Sequence, residues 1–237
     1  MITANKIKKR LRSKASAKKA ADLRWFFKTG PGEYGDGDKF LGVVVPNIRA
    51  AIKDCREISF GELPKLFNSP FHEERLAGAL ILVNNFTKAG VAERKKIYKF
   101  YIKNIPRINN WDLVDLSAPT IVGGYLLGTS SKEKQRVLAE LSNSKNMWER
   151  RVAILATFLF IREGKFNETL RLAKKYLADE EDLMHKATGW MLREVGKRDV
   201  KILKKFLEQH ADIMPRTMLR YAIEKFSPAE RKYFLNK

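Results

Sequence analysis

The sequence predicts an all-α chain built from stacked two-helix units, and three observations carry that reading. Apolar residues recur at i, i+3, i+4 spacing in LRWFF, HEERLAGALILVNNF, WERRVAILATFLF, HKATGWMLREVGK and VKILKKFLEQH. Strand signals are nearly absent, FLGVVVP at 40–46 being the one short β-like run. The longer helices also open alike, with Arg75-Leu-Ala77, Arg151-Val-Ala153 and Lys186-Ala-Thr188, offset by 76 and then 35 residues. Those offsets fit a HEAT-like unit of ~40 residues, a helix pair that buries its apolar face only by stacking on its neighbours. The expected fold is therefore a curved α-solenoid, a superhelix of about six HEAT-like two-helix repeats forming one domain over 1–237. A generic helical bundle is the competing arrangement.

Charge narrows the partners. The chain has 47 Lys+Arg against 27 Asp+Glu, a net charge of +20, which points to a polyanion such as DNA, RNA or an anionic membrane surface. A membrane-spanning helix needs about 20 apolar residues, and the longest apolar run here is AGALILV at 77–83. The basic start lacks the apolar core of a secretory signal, although it also fits an organelle transit peptide. Cys55 is the sole cysteine, so no internal disulfide can form and a reducing, cytoplasmic setting is expected. The three histidines, His72, His185 and His210, show no metal-ligand spacing, and no metal is expected.

Taken in chain order, residues 1–28 form the basic N-terminal helices, with ten Lys/Arg and only Asp22 as an acid. Trp25, Phe26 and Phe27 predict that the second half of this segment docks on the body. GPGEYG at 30–35 matches G-x-G-x-x-G by letter, but no strand precedes it and Glu33, Asp36 and Asp38 would repel phosphate. An ordered turn between helices is expected instead. In FLGVVVP, Pro46 suits the first turn of a helix.

NNWDLVDLSAP at 109–119 reads as a helix capped by Asn109 or Asn110. Trp111 and Asp115 stand four apart and share a face, whereas Asp112 lies about 100° around and reads as a dipole-favoured surface acid. Pro119 should kink this helix or begin a new one. In NMWERRVAILATFLF at 146–160, Asn146 is a plausible cap, and the adjacent Arg150 and Arg151 point different ways. In HKATGWMLREVGK at 185–197, Trp190 and Glu194 are i, i+4, as are Lys186 and Trp190. Gly189 inside a helix costs about 1 kcal/mol against Ala, which close approach of a neighbouring helix or ligand backbone would explain. Each tryptophan taken singly is read more readily as a core residue than as part of a site.

Together, FFKTGPGEYGDGDKFLGV at 26–43, NNWDLVD, NMWERRVAI and HKATGWMLREVGK resemble the DNA alkylation repair family of HEAT-like-repeat DNA glycosylases, the AlkD-like proteins. The resemblance runs from about residue 20 to about residue 225. It implies a stack of repeats holding duplex DNA in a basic concave face. It also implies hydrolysis of the N-glycosidic bond of cationic N3- or N7-alkylated purines, without deep base flipping and without metal or organic cofactor. By position, the family's catalytic aspartate falls on Asp115, its site tryptophans on Trp111 and Trp190, and its DNA-contacting arginine on Arg151. Arg193 matches a further basic position, Trp25 an aromatic at the end of an early helix, and Lys186 joins the candidate DNA-binding set. Val44 departs from a polar position near DNA. The family's design implies a monomer, cytoplasmic or nucleoid-associated.

Chemistry fits these roles. A cationic base is already a good leaving group, and its departure leaves an oxocarbenium-like sugar that a fixed carboxylate stabilises. Indole faces attract such cations by roughly 0.5–2 kcal/mol each. Trp111, Asp115 and Trp190 are thus expected to form one cation-seeking cleft. The alternative is a HEAT-like protein that binds damaged, distorted or branched DNA without chemistry. A protein-interaction solenoid is disfavoured by the charge.

Overall fold

The computed structural model describes residues 2–237. In chain order the helices are α1 (Ala4–Arg12), α2 (Ala17–Phe26), α3 (Val45–Ala51), α4 (Leu63–Phe67), α5 (His72–Lys88), α6 (Val91–Lys103) and α7 (Trp111–Ala118). A π-helical turn, Pro119–Gly123, then leads into α8 (Gly124–Leu127) and α9 (Ser131–Ser142). The series closes with α10 (Met147–Arg162), α11 (Asn167–Lys175), α12 (Asp182–Arg198), α13 (Val200–His210), α14 (Arg216–Ala222) and α15 (Pro228–Leu235). The fold is all-α, with helices packed in neighbouring pairs as in a HEAT-like array. No strand occurs among the described residues, and none of their helices is long and apolar enough to cross a membrane.

Contacts divide the chain into two compact units, 1–117 and 118–237. In the first, α5 is the central helix, packed by α1, α3, α4 and α6. Its Leu76, Ala77, Ala79, Leu80, Ile81 and Leu82 are buried on all sides. That explains why the apolar run AGALILV lacks a clean amphipathic stripe. α1 closes this core with Ala4, Ile7 and Leu11, all fully buried, while Lys6 and Lys9 face outward. Burial of each such Leu or Ile contributes about 1.5–3 kcal/mol.

In the second unit α10 and α12 stack on each other and form hairpins with α11 and α13. These are the helices that open on the repeated motif, so the offset seen in the sequence reflects equivalent places in successive hairpins. Asn146 caps α10 by accepting from the Trp148 amide at 2.9 Å, as its position predicts. Gly189 is explained by close approach, because a Cβ there would lie 2.4 Å from the Met218 carbonyl and 2.6 Å from Tyr221 Cβ of α14.

FLGVVVP is not a strand. Lys39 and Phe71 make one isolated parallel bridge, and the amides of Leu41, Gly42 and Val43 instead donate to the buried Glu73 carboxylate, at 2.8–3.1 Å. A side chain has taken the place of a partner strand. Gly42, at φ +80°, sits so close to α2 that a Cβ would fall 2.1 Å from the Ser16 carbonyl. The GPGEYG segment is an ordered turn, with Glu33 accepting from the Gly30 amide and Asp36 from that of Gly32. Both acids are thus used by the loop itself.

Candidate functional site

α7 starts where Asn110 accepts from the Trp111 amide at 2.8 Å. Asn110 is fully buried and also reaches Asp38 Oδ2 at 3.5 Å, so the entry to the helix is anchored from within. Trp111 and Asp115, one turn apart, are both half-buried. The Trp111 ring stacks on Phe27, with centroids 5.2 Å apart and planes 26° apart, and meets Phe26 edge-on at 5.9 Å. Phe27 in turn stacks on Phe40 at 5.2 Å. Offset and edge-to-face pairs of this kind each add about 0.5–1.5 kcal/mol beyond burial.

Tyr101, fully buried on α6, holds the other side of α7. Its hydroxyl shares a 2.8 Å hydrogen bond with Ser117, which donates to the Leu113 carbonyl. Burial pushes the Tyr101 phenol up, the Ser117 hydrogen bond opposes this, and the Asp115 charge adds to the rise. The phenol therefore stays protonated and serves as a support.

Asp112 corrects the sequence reading. It is 8% exposed, and its Oδ2 lies 2.8 Å from His72 Nε2. Its Oδ1 accepts from the Leu113 amide at 2.8 Å. His72 Nδ1 lies 3.2 Å from Asp38 Oδ2, and Asp38 also forms a buried ion pair with Arg75. Burial alone would lower the His72 pKa, but the Asp112 charge and hydrogen bond, aided by Asp38, raise it to about 9. Burial would raise the Asp38 carboxyl, yet His72 and Arg75 hold it below its ordinary value. The i, i+4 argument could not find this cluster, because its members lie 34 to 74 positions apart in the sequence, Arg75 aside.

The N-terminal aromatics also differ from expectation. Phe27 is buried, but Trp25 is 84% and Phe26 54% exposed, and α2 buries no residue. Only the last of the three docks. A surface groove of about 610 Å³ is lined by Arg24, Trp25, Phe26, Lys28, Thr29 and Glu33, together with Gly30. Val44 is exposed at the start of α3.

In the second unit Trp190 is half-buried, its indole N–H donating to Glu194 Oε1 at 3.2 Å, with Phe158 6.2 Å away. Lys186 pairs with Asp182 at 2.8 Å. Arg193 forms an ion pair with Glu224 and keeps 17% of its side chain exposed. Neither Arg150 nor Arg151 is a surface arginine. Arg150 pairs with Asp179 at 2.8 Å and donates to the Ser144 and Lys145 carbonyls. Arg151 is 4% exposed, with Nη1 donating to the Leu183 carbonyl at 2.5 Å. Trp111 and Asp115 are thus neighbours in one unit, and Trp190, Lys186 and Arg193 share α12 in the other. Among the described residues no His, Cys, Asp and Glu group has the arrangement of a metal site.

Comparison with known proteins follows this geometry. A solved structure described as a predicted DNA alkylation repair enzyme from Enterococcus faecalis superposes with a TM-score of 0.71, covering 91% of this chain and 98% of that one at 16% identity. At that identity the likeness speaks for the fold alone. None of the curated proteins matches the chain. The family described as DNA alkylation repair enzyme matches residues 7–226, nearly the whole length, and the chain belongs to that family.

Proposed function

We propose that the protein is a DNA glycosylase that hydrolyses the N-glycosidic bond of cationic, N3- or N7-alkylated purines in duplex DNA. The observation that carries the reading is the Asp115 carboxylate one helical turn from the half-exposed Trp111 ring, in a chain of net charge +20. A site that only held phosphates would have no use for an anion there.

In this mechanism the glycosidic C–N bond breaks with its electron pair moving to the base, which leaves as a neutral purine. The sugar becomes oxocarbenium-like, and Asp115 stabilises that charge and orients water. Water adds to C1′ and loses a proton, leaving an abasic site. Trp111 and Trp190 offer indole faces to cationic sugar and base. Trp25, Phe26, Arg24 and Lys28 supply a cationic, aromatic surface suited to a nucleic acid backbone and its bases. For Lys186 and Arg193, binding a phosphate means exchanging an acidic partner, Asp182 or Glu224, for the DNA. Such contacts are sequence-independent and weaken with salt.

The test is release of free base from duplex DNA containing N7-methylguanine. Wild type is expected to release base, and Asp115→Asn to lose at least a hundredfold in rate while binding the duplex within about threefold. Tight binding without release by wild type would instead establish a non-catalytic DNA-binding protein.

A further inference from the structure

Beneath the Trp111–Phe27–Phe40 stack lies a buried charge cluster that the proposed chemistry does not use. His72 opens α5, is 2% exposed and stacks on Phe40 with centroids 4.7 Å apart. It also lies 4.9 Å from Phe27, the ring on which Trp111 rests. The charged groups that face it are Asp38 from the loop before α3, Asp112 from α7 and, through Asp38, Arg75 of its own helix. Both ring nitrogens therefore point at carboxylates, and an ionised carboxylate only accepts hydrogen bonds. A neutral imidazole has one N–H and can serve one of them. The doubly protonated ring serves both and makes the cluster neutral, two anions against two cations. Its pKa of about 9 agrees with that geometry.

We propose that His72 is a positioning residue for Trp111 and Asp115, bridging Asp38 and Asp112 so that the first turn of α7 and the aromatic stack under Trp111 keep one arrangement. The proposal rests on the reading of Trp111 and Asp115 as the reacting pair. Its chemical logic is that Asp112 directly follows Trp111, so the bridge to α5 fixes the helix at the residue beside the indole. Asn110, on the other side of Trp111, is tied to Asp38 in the same cluster. Loss of the second N–H would release one carboxylate, leave a buried net negative charge and free the entry of α7 to shift. His72 touches no substrate in this scheme and acts through α7.

The experiment uses full-length protein carrying fluorotryptophan, with the Trp111 ¹⁹F resonance identified by its loss in Trp111→Phe. Between pH 6 and 10.5 the wild-type Trp111 resonance should shift with a midpoint near 9. The shift should vanish in His72→Phe, which keeps a ring in the stack, and in His72→Gln, which keeps an N–H but does not titrate. Single-turnover base release is compared as the ratio of wild type to each variant, so that titration of the substrate itself cancels. That ratio should be tenfold or more for His72→Phe at pH 7 and fall toward one above pH 10, with duplex affinity within threefold throughout. If His72→Phe does not fold, His72→Gln carries the test, with a smaller ratio at pH 7 that likewise falls toward one above pH 10. A Trp111 resonance that does not titrate in wild type, or a rate ratio that is constant with pH, overturns the proposal. Absence of base release by wild type overturns the glycosylase reading, and the fluorine titration then still decides whether His72 positions Trp111.

Discussion

Arg151 illustrates how a single side chain can be mistaken for a surface contact. Its sequence neighbourhood, ERR at the start of a basic helix, reads as exposed, yet the side chain is buried and its Nη1 ties α10 to the main chain of α12 at Leu183. Replacing it with Ala leaves the Leu183 carbonyl without that donor, and such losses cost about 1–3 kcal/mol. Arg151→Ala should therefore lower the urea midpoint of unfolding. Unchanged stability would return Arg151 to the role of an open phosphate contact. Trp111 and Asp115 were legible at this scale because i, i+4 spacing places them on one face whatever surrounds the helix. Asp112 was not, since its partner His72 lies 40 positions away and nothing local marks the pairing.

At the scale of elements, the first turn of α5 organises the unit around it. Glu73 collects three loop amides, Glu74 accepts from Ser69 Oγ at 2.7 Å and pairs with Lys8 and Arg12, and His72 reaches α7. Acids in a first helical turn also suit the positive end of the helix. Glu73→Ala should destabilise by about 2–4 kcal/mol, since hydrogen bonds to a charged acceptor contribute about 1.5–3 kcal/mol each and the loop can recover part of the loss from water. Hydrogen exchange at Leu41, Gly42 and Val43 should quicken more than exchange in α10, and equal protection in the variant would count against this role. Helix identity and order were readable from periodicity, and the equivalence of α10 and α12 from their offset. The loop at 40–46 was misread because β-branched residues signal an extended backbone but not what pairs with it. Pro119 begins a new helical element, one of the two outcomes expected of it, but the kind was not legible: the chain makes a π turn, with Gly123 passing so close that a Cβ would lie 2.3 Å from the Ala156 carbonyl. A proline announces that an α-helical bond is missing, but the neighbour packed against the detour lies 37 positions on.

At the scale of the whole molecule, the buried cluster makes stability depend on pH in a definite direction. His72 has a higher pKa folded, about 9, than its ordinary 6.5, so the folded state favours the proton. Its stabilisation is complete below about 6.5 and is lost as pH rises through about 9. Asp38, held below its ordinary 3.8, acts in the opposite sense, giving stability that is present above that value and lost in acid. Urea midpoints should thus fall between pH 6.5 and 9.5 in wild type, with a clearly smaller fall in His72→Gln. A wild-type midpoint flat across that interval would contradict the assignment of charge in the cluster. The net charge of +20 adds a second whole-molecule effect, since self-repulsion of the folded chain eases as salt screens it.

Cys55 gains a meaning from the company this family keeps. Electrophiles that methylate purines also attack thiolates, so a repair enzyme is exposed to the reagents whose damage it meets. Here the only thiol is 1% exposed, and burial, followed by the charge of Asp54, pushes its pKa up despite the nearby Arg10. The thiolate is the reactive form, and its population is held down along with access to it. Native protein should therefore survive iodoacetamide or a methylating agent with Cys55 intact by mass spectrometry, whereas urea-unfolded protein is labelled quickly. The core that folds the first unit thus also shields the chain's one thiol from electrophiles of this kind.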